Sequence, residues 1–234
     1  MRLHRFYVKT PISEDKFDIS DRDLVHQWRS VFRYNVGSQV ILFDGSGIDY
    51  LALITSLRNT GATMEIIEKK FRKNLNNARN LFLCVGLIKK DNFELVVQKT
   101  TELGAKHIIP VLCERSEKKN LNMKRLEKIA IEASEQSGRG DIPIISEIVE
   151  LSYLLKNNTL PKEKFFLHMD GQYIGDTLQN KNSKDLAVFI GPEGGFSDKE
   201  IQDFAFHNTP SVSLGTQTLR AETTAIAVTS LLLL

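Results

Sequence analysis

The chain has 234 residues, 41% hydrophobic and 26% charged, with a net charge of +2. That composition is ordinary for a globular chain of one large or two small domains, and a charge so near zero announces no nucleic-acid partner. Two cysteines exclude a disulfide framework or zinc cluster, and no run of about eighteen apolar residues spans a membrane. The opening M-R-L-H-R-F-Y has no apolar secretory stretch, so a cytoplasmic location is expected.

Residues 1–68 read as a small β-rich domain. Gln39–Phe43 and residues 50–56 are strand-like, Asp44-Gly45-Ser46-Gly47 between them is a strong hairpin turn, and residues 62–67 give a third strand. One helix interrupts them, capped by Ser20 or Asp21, with Leu24, Val25, Trp28, Val31 and Phe32 on one face. Trp28 is then core. From 69 to 90 there are seven basic residues and no acidic one, a composition shift that marks a domain boundary. Such a strip is either a solvated face or a phosphate-binding surface.

Beyond residue 80 apolar runs alternate with amphipathic ones, the pattern of a parallel α/β sheet. Strands are expected at 81–87, 107–113, 142–146 and 164–169. Helices are expected at 91–103, ended by Gly104, at 123–136, near 148–155 and at Ala221–Leu233. Cys84 and Cys113 sit in strand runs as buried thiols, and no pair of the five histidines has metal-ligand spacing.

Residues 186–225 carry the chemistry. L-A-V-F-I-G-P-E-G-G-F-S-D-K-E-I is an apolar strand, a glycine loop and a helix start, with Ser197 and Glu200 spaced as a capping box. V-S-L-G-T-Q-T-L-R-A-E-T-T-A repeats the plan at 212–225. Two such units at the carboxyl edge of one sheet make a cleft, where open α/β sheets bind ligands. Neither a G-x-G-x-x-G nor a P-loop pattern is present.

I-G-P-E-G-G-F-S-x-x-E-I followed by L-G-x-x-x-L-R-x-E-T resembles the C-terminal signature of the knotted SPOUT-class RNA methyltransferases, more narrowly the bacterial 16S rRNA uridine-N3 methyltransferases. Lys89, Asp91, Glu94, Gln98, Lys99, Glu102, Leu103 and Gly104 fit the same family, as do Glu114 to Ser116, Glu135 to Arg139, and Phe32-Arg33, Gly37 and Phe43 to Gly45 near the front. The resemblance implies an α/β fold: a PUA-like, RNA-binding β-barrel over 1–70, then a SPOUT domain over 71–234 ending in a deep trefoil knot. It also implies S-adenosylmethionine bound in the knot, a homodimer, and 16S rRNA, within the 30S subunit, as substrate, with no metal and no membrane. Gln217 stands where related sequences more often carry a basic residue.

On this resemblance Met169, Ile190, Gly191, Glu193, Gly195, Leu214, Gly215 and Leu219 line the cofactor site. The alternative for Met169 is a core side chain, and for Glu193 a cap on neighbouring backbone. Arg220 and Glu222 are the catalytic pair, with a surface i, i+2 pair as the alternative. Lys69, Lys70, Arg72, Lys73, Arg115 and Arg139 are RNA contacts, with solvated surface as theirs. A non-catalytic rRNA-binding module and a SPOUT methyltransferase with another RNA target are the rival functions.

Overall fold

The computed structural model describes residues 3–72, 79–157, 159–178 and 183–234. The chain divides into two units, Met1–Asn76 with Ser134–Asp141, and Asn77–Ala133 with Ile142–Leu234.

The first unit is a five-stranded sheet in the order β1 (Arg5–Tyr7), β3 (Gln39–Phe43), β4 (Ile48–Arg58), β5 (Gly61–Phe71), β2 (Lys16–Ile19). β1 and β3 run parallel and the other neighbours antiparallel. The hairpin forms where the Asp-Gly turn stands, Gly45 and Gly47 both taking positive φ. Among the described residues β1 and β2 are the two edges, so the expected barrel is not closed by these pairings. Both edge strands escape the sequence reading because three or four residues are too few to show alternation. Asp21 caps α1 (Arg22–Ser30), accepting from the Asp23 and Leu24 amides. Leu24, Val25 and Trp28 are buried, but Val31 is not on that face: the helix has ended and its side chain is 68% exposed.

A buried carboxylate organises this unit from within. Asp49 receives Arg5 at 2.7 Å and Arg72 at 2.6 Å, and Arg5 also donates to the Ser134 and Arg139 carbonyls. The paired charges and the carbonyl acceptors satisfy groups that would otherwise be costly to bury.

The second unit is an all-parallel sheet in the order β12 (Ser211–Ser213), β10 (Lys164–Tyr173), β11 (Asp185–Ile190), β6 (Asn80–Gly86), β7 (His107–Leu112), β8 (Ile144–Ile145), with β9 (Val149–Glu150) also on β7. Both faces are covered, which explains the near-continuous apolar strand runs. Leu81, Leu83 and Val85 face a core shared with α2 (Lys90–Glu102) and α7 (Ala221–Leu233). Cys84, Phe166 and Phe189 face the opposite core with α4 (Leu151–Lys156) and α6 (Asp198–Phe206). Burial pushes the Cys84 and Cys113 thiols far above their ordinary pKa, so both act as inert core side chains. The expected strand at 142–146 shrinks to two residues and the helix near 148–155 starts only at Leu151, because β7 also takes Val149 and Glu150 as a parallel partner.

Chain order departs from sheet order after β9, where the chain crosses to β10 beyond β6, and again after β11. After β11 the chain passes through α6 to the far side of β10, forms β12, and returns as α7 onto α2 and β6. That return puts the loops after β11 and β12 at the same carboxyl edge.

Candidate functional site

Gly86 and Gly171 shape this edge by having no side chain. A Cβ on Gly86 would lie 2.6 Å from the Pro192 nitrogen, and one on Gly171 would lie 2.5 Å from the Val212 nitrogen. Gly86 therefore lets the loop after β11 cross the end of β6. β10 pairs with Val212 twice, through Leu167 and again through Gln172, so residues 168–171 bulge out of the ladder. The bulge carries His168 and Met169 to the cleft, and Met169 is 47% exposed, not a core side chain.

The loop after β11 is fastened at three points. Glu193 Oε1 accepts from the Lys89 amide at the start of α2, 3.1 Å away, so one of its oxygens caps neighbouring backbone. Ser197 and Glu200 form the capping box of α6. The same two residues bind the turn after β7: Glu200 Oε1 accepts from the Glu114 amide at 2.8 Å, and Ser197 Oγ donates to Glu114 Oε2 at 2.6 Å. Arg115 Nη1 donates to the Gly194 and Phe196 carbonyls, each at 3.1 Å. Positive φ is confined to Gly195 in this loop and Gly215 in the next.

Together these elements enclose a cavity of about 610 Å³. Met169, Ile190, Gly191, Glu193, Gly195, Leu214, Gly215 and Leu219 all line it, as do Gln217, Arg220 and Glu222. Sequence reasoning missed Lys89, Asn92, His168 and Phe196 on its wall, although Lys89 lies in the K-K-D stretch that it singled out. Arg220 and Glu222 are not an equivalent surface pair. The Arg220 side chain is 85% exposed, that of Glu222 only 10%, and their closest atoms stand 4.0 Å apart, too far for a hydrogen bond. Glu222 Oε2 is fully buried without a partner. An orphan carboxylate oxygen on the wall of a cavity calls for a donor from a ligand.

The RNA-contact candidates are spread over other roles. Lys69 pairs with exposed Asp15, which holds its pKa up, and Arg72 pairs with buried Asp49. Arg139 pairs with Asp141, and Arg115 binds the loop carbonyls. Lys70 is exposed with no ion pair among the described residues, and Lys73 lies outside them. Among the described residues no cluster of three or more His, Cys, Asp or Glu is arranged to hold a metal, and no helix is long and apolar enough to cross a membrane.

Comparison with known proteins places the chain in a family. Residues 75–233 match the RNA methyltransferase domain family. A ribosomal RNA small subunit methyltransferase E from Rickettsia conorii is 32% identical over 229 residues, covering 97% of this chain and 93% of that one. The chain belongs to the ribosomal RNA small subunit methyltransferase E family. A solved member from Neisseria gonorrhoeae, bound to S-adenosyl methionine, matches with a TM-score of 0.86 at 28% identity, covering 98% of this chain and 96% of that one. A Legionella pneumophila methyltransferase in complex with the same cofactor matches with a TM-score of 0.87 at 29% identity, covering 99% and 97%.

Proposed function

We propose that the protein uses S-adenosylmethionine to methylate N3 of one uridine in 16S rRNA of the small ribosomal subunit. The observation that carries this is the cavity at the sheet edge, where both glycine loops meet and the Glu222 carboxylate, one oxygen of it buried without a partner, lines the wall. Its volume is within the range of pockets for ligands of cofactor size. The glycines at 191, 195 and 215 leave room for backbone to approach a nucleoside. The bound cofactor supplies an electrophilic methyl group.

The remaining work falls to the chain. Backbone at Ile190, Gly191, Leu214, Gly215 and Leu219 orients the adenosine, with Met169 over the open side. Holding donor and acceptor in line contributes roughly 7–11 kcal/mol to such a reaction. Uracil N3 must lose a proton to react. The Glu222 carboxylate is the acceptor for that proton, and Arg220, exposed at the start of α7, stabilises the negative charge on a uracil carbonyl oxygen.

The finer architecture follows the same reading: a PUA-like RNA-binding domain over 1–70, a SPOUT domain over 71–234, and a knot in which α7 threads the loop before it. The protein acts in the cytoplasm as a homodimer, to which Leu231 in the last turn of α7 and Leu234 just beyond it, 57% and 89% exposed, contribute apolar surface. Titration calorimetry with S-adenosylmethionine, followed by methyl transfer to purified small subunits, tests the proposal. Absence of binding would remove it.

A further inference from the structure

The first unit holds a second cavity, about 660 Å³, beside the end of α1. Its wall includes His26, Arg29, Arg33, Tyr34, Asn35 and Asn59, and no carboxylate. Neither Arg29 nor Arg33 has an ion pair among the described residues, whereas Arg5, Arg72, Arg125 and Arg139 each face an acid. Two unneutralised guanidiniums in one cavity attract an anion.

Backbone geometry adds an independent observation. The Val31 and Phe32 amides donate to the Gln27 carbonyl and the Tyr34 amide donates to that of Trp28, which closes α1 with a tight turn. Arg33 occupies that turn with φ +55°. Glycine or asparagine normally fills such a left-handed position, since a β-carbon there is strained. The Arg33 side chain is exposed, so no core packing offsets the strain. What the residue gains is a guanidinium on the cavity wall. Tyr34 adds a phenol able to donate, its pKa raised above the ordinary tyrosine value by burial.

We infer that this cavity is a phosphodiester subsite for the RNA substrate, with Arg29 and Arg33 each neutralising one phosphate. The planar guanidinium fork matches phosphate oxygens, and Asn35 and Asn59 offer amide hydrogen bonds to the adjoining sugar. The inference rests on the rRNA methyltransferase reading above. Arg29 also lies in the last turn of α1, where any cation complements the helix dipole, so Arg33 is the sharper probe.

The test is Arg33→Gly, alone and combined with Arg29→Gln, in the full-length protein. Glycine suits the backbone at 33, so the unfolding temperature of Arg33→Gly should hold or rise; a clear fall would mean that Arg33 is there for the fold, and would overturn the inference. Binding of transcribed 16S rRNA should weaken, with the log–log salt slope falling by roughly 0.7–0.9 for each arginine removed. Affinity for S-adenosylmethionine should not change. An unchanged slope and affinity, with wild-type rRNA binding intact, would also overturn it. If naked rRNA binding is unaffected and only binding to protein-containing subunits suffers, the occupant is an acidic protein surface and the phosphodiester assignment falls. If the wild-type chain binds neither rRNA nor S-adenosylmethionine, the functional reading itself fails.

Discussion

Arg115 reaches from the turn after β7 to the Gly194 carbonyl, 3.1 Å from its Nη1, and holds Phe196 with the same nitrogen. A residue expected to touch RNA is thus tied to the wall of the cavity proposed for the cofactor. Arg115→Ala should loosen the loop and weaken S-adenosylmethionine binding by about fivefold or more, since each hydrogen bond contributes about 1 kcal/mol. Titration calorimetry checks this, and Arg115→Lys should recover part of the loss, because one nitrogen makes both bonds and an ammonium can also donate to two carbonyls.

Gly86→Ala should be more damaging than Gly191→Ala. The added methyl meets the Pro192 nitrogen at 2.6 Å in the first case, and the Gly195 backbone at 3.3 Å in the second. The first requires the loop after β11 to move; the second asks for a few tenths of an ångström. Calorimetry should find cofactor binding lost in Gly86→Ala and retained, though weaker, in Gly191→Ala.

Two residues of the basic strip should separate stability from RNA affinity. Arg72→Ala strips a partner from buried Asp49, while Lys70→Ala removes an exposed charge. Breaking a buried pair costs about 3–5 kcal/mol; Asp49 keeps Arg5, so Arg72→Ala should fall below that range, and Asp49→Ala should reach it. Chemical denaturation reads both. Lys70→Ala should leave stability unchanged and lower the salt slope for rRNA by roughly 0.7–0.9.

The loops were legible because their chemistry is local. A strand running into Gly191 or Gly215 and then into a helix start is written in consecutive residues, so a strand-edge cleft could be read from sequence, and the family resemblance then named the residues on its wall. The bulge at 168–171 was not, since it exists only because β10 pairs twice with Val212, a partner some forty positions away. The same holds for the Asp49 charge cluster, whose Arg5 and Arg72 partners come from opposite ends of the first unit's chain. Edge strands β1 and β2 were too short to betray a period, and Val31 was misplaced because periodicity does not say where a helix stops.

Glu222→Gln should fold normally and keep its place on α7, since the amide is isosteric. Unlike the carboxylate, it cannot take up a proton. Single-turnover methylation should slow by ~10²–10⁴, the usual contribution of a positioned base, with cofactor affinity little changed. A matching loss of cofactor affinity would assign Glu222 to binding instead.

The most direct test is to identify the methylated nucleoside by mass spectrometry after a single turnover on small ribosomal subunits. The wild-type protein should yield 3-methyluridine in 16S rRNA, and Arg220→Ala the same product ~10²–10³ more slowly at unchanged cofactor and RNA affinity. Methyl on any other atom, or a wild-type rate from Arg220→Ala, would contradict this account of the site.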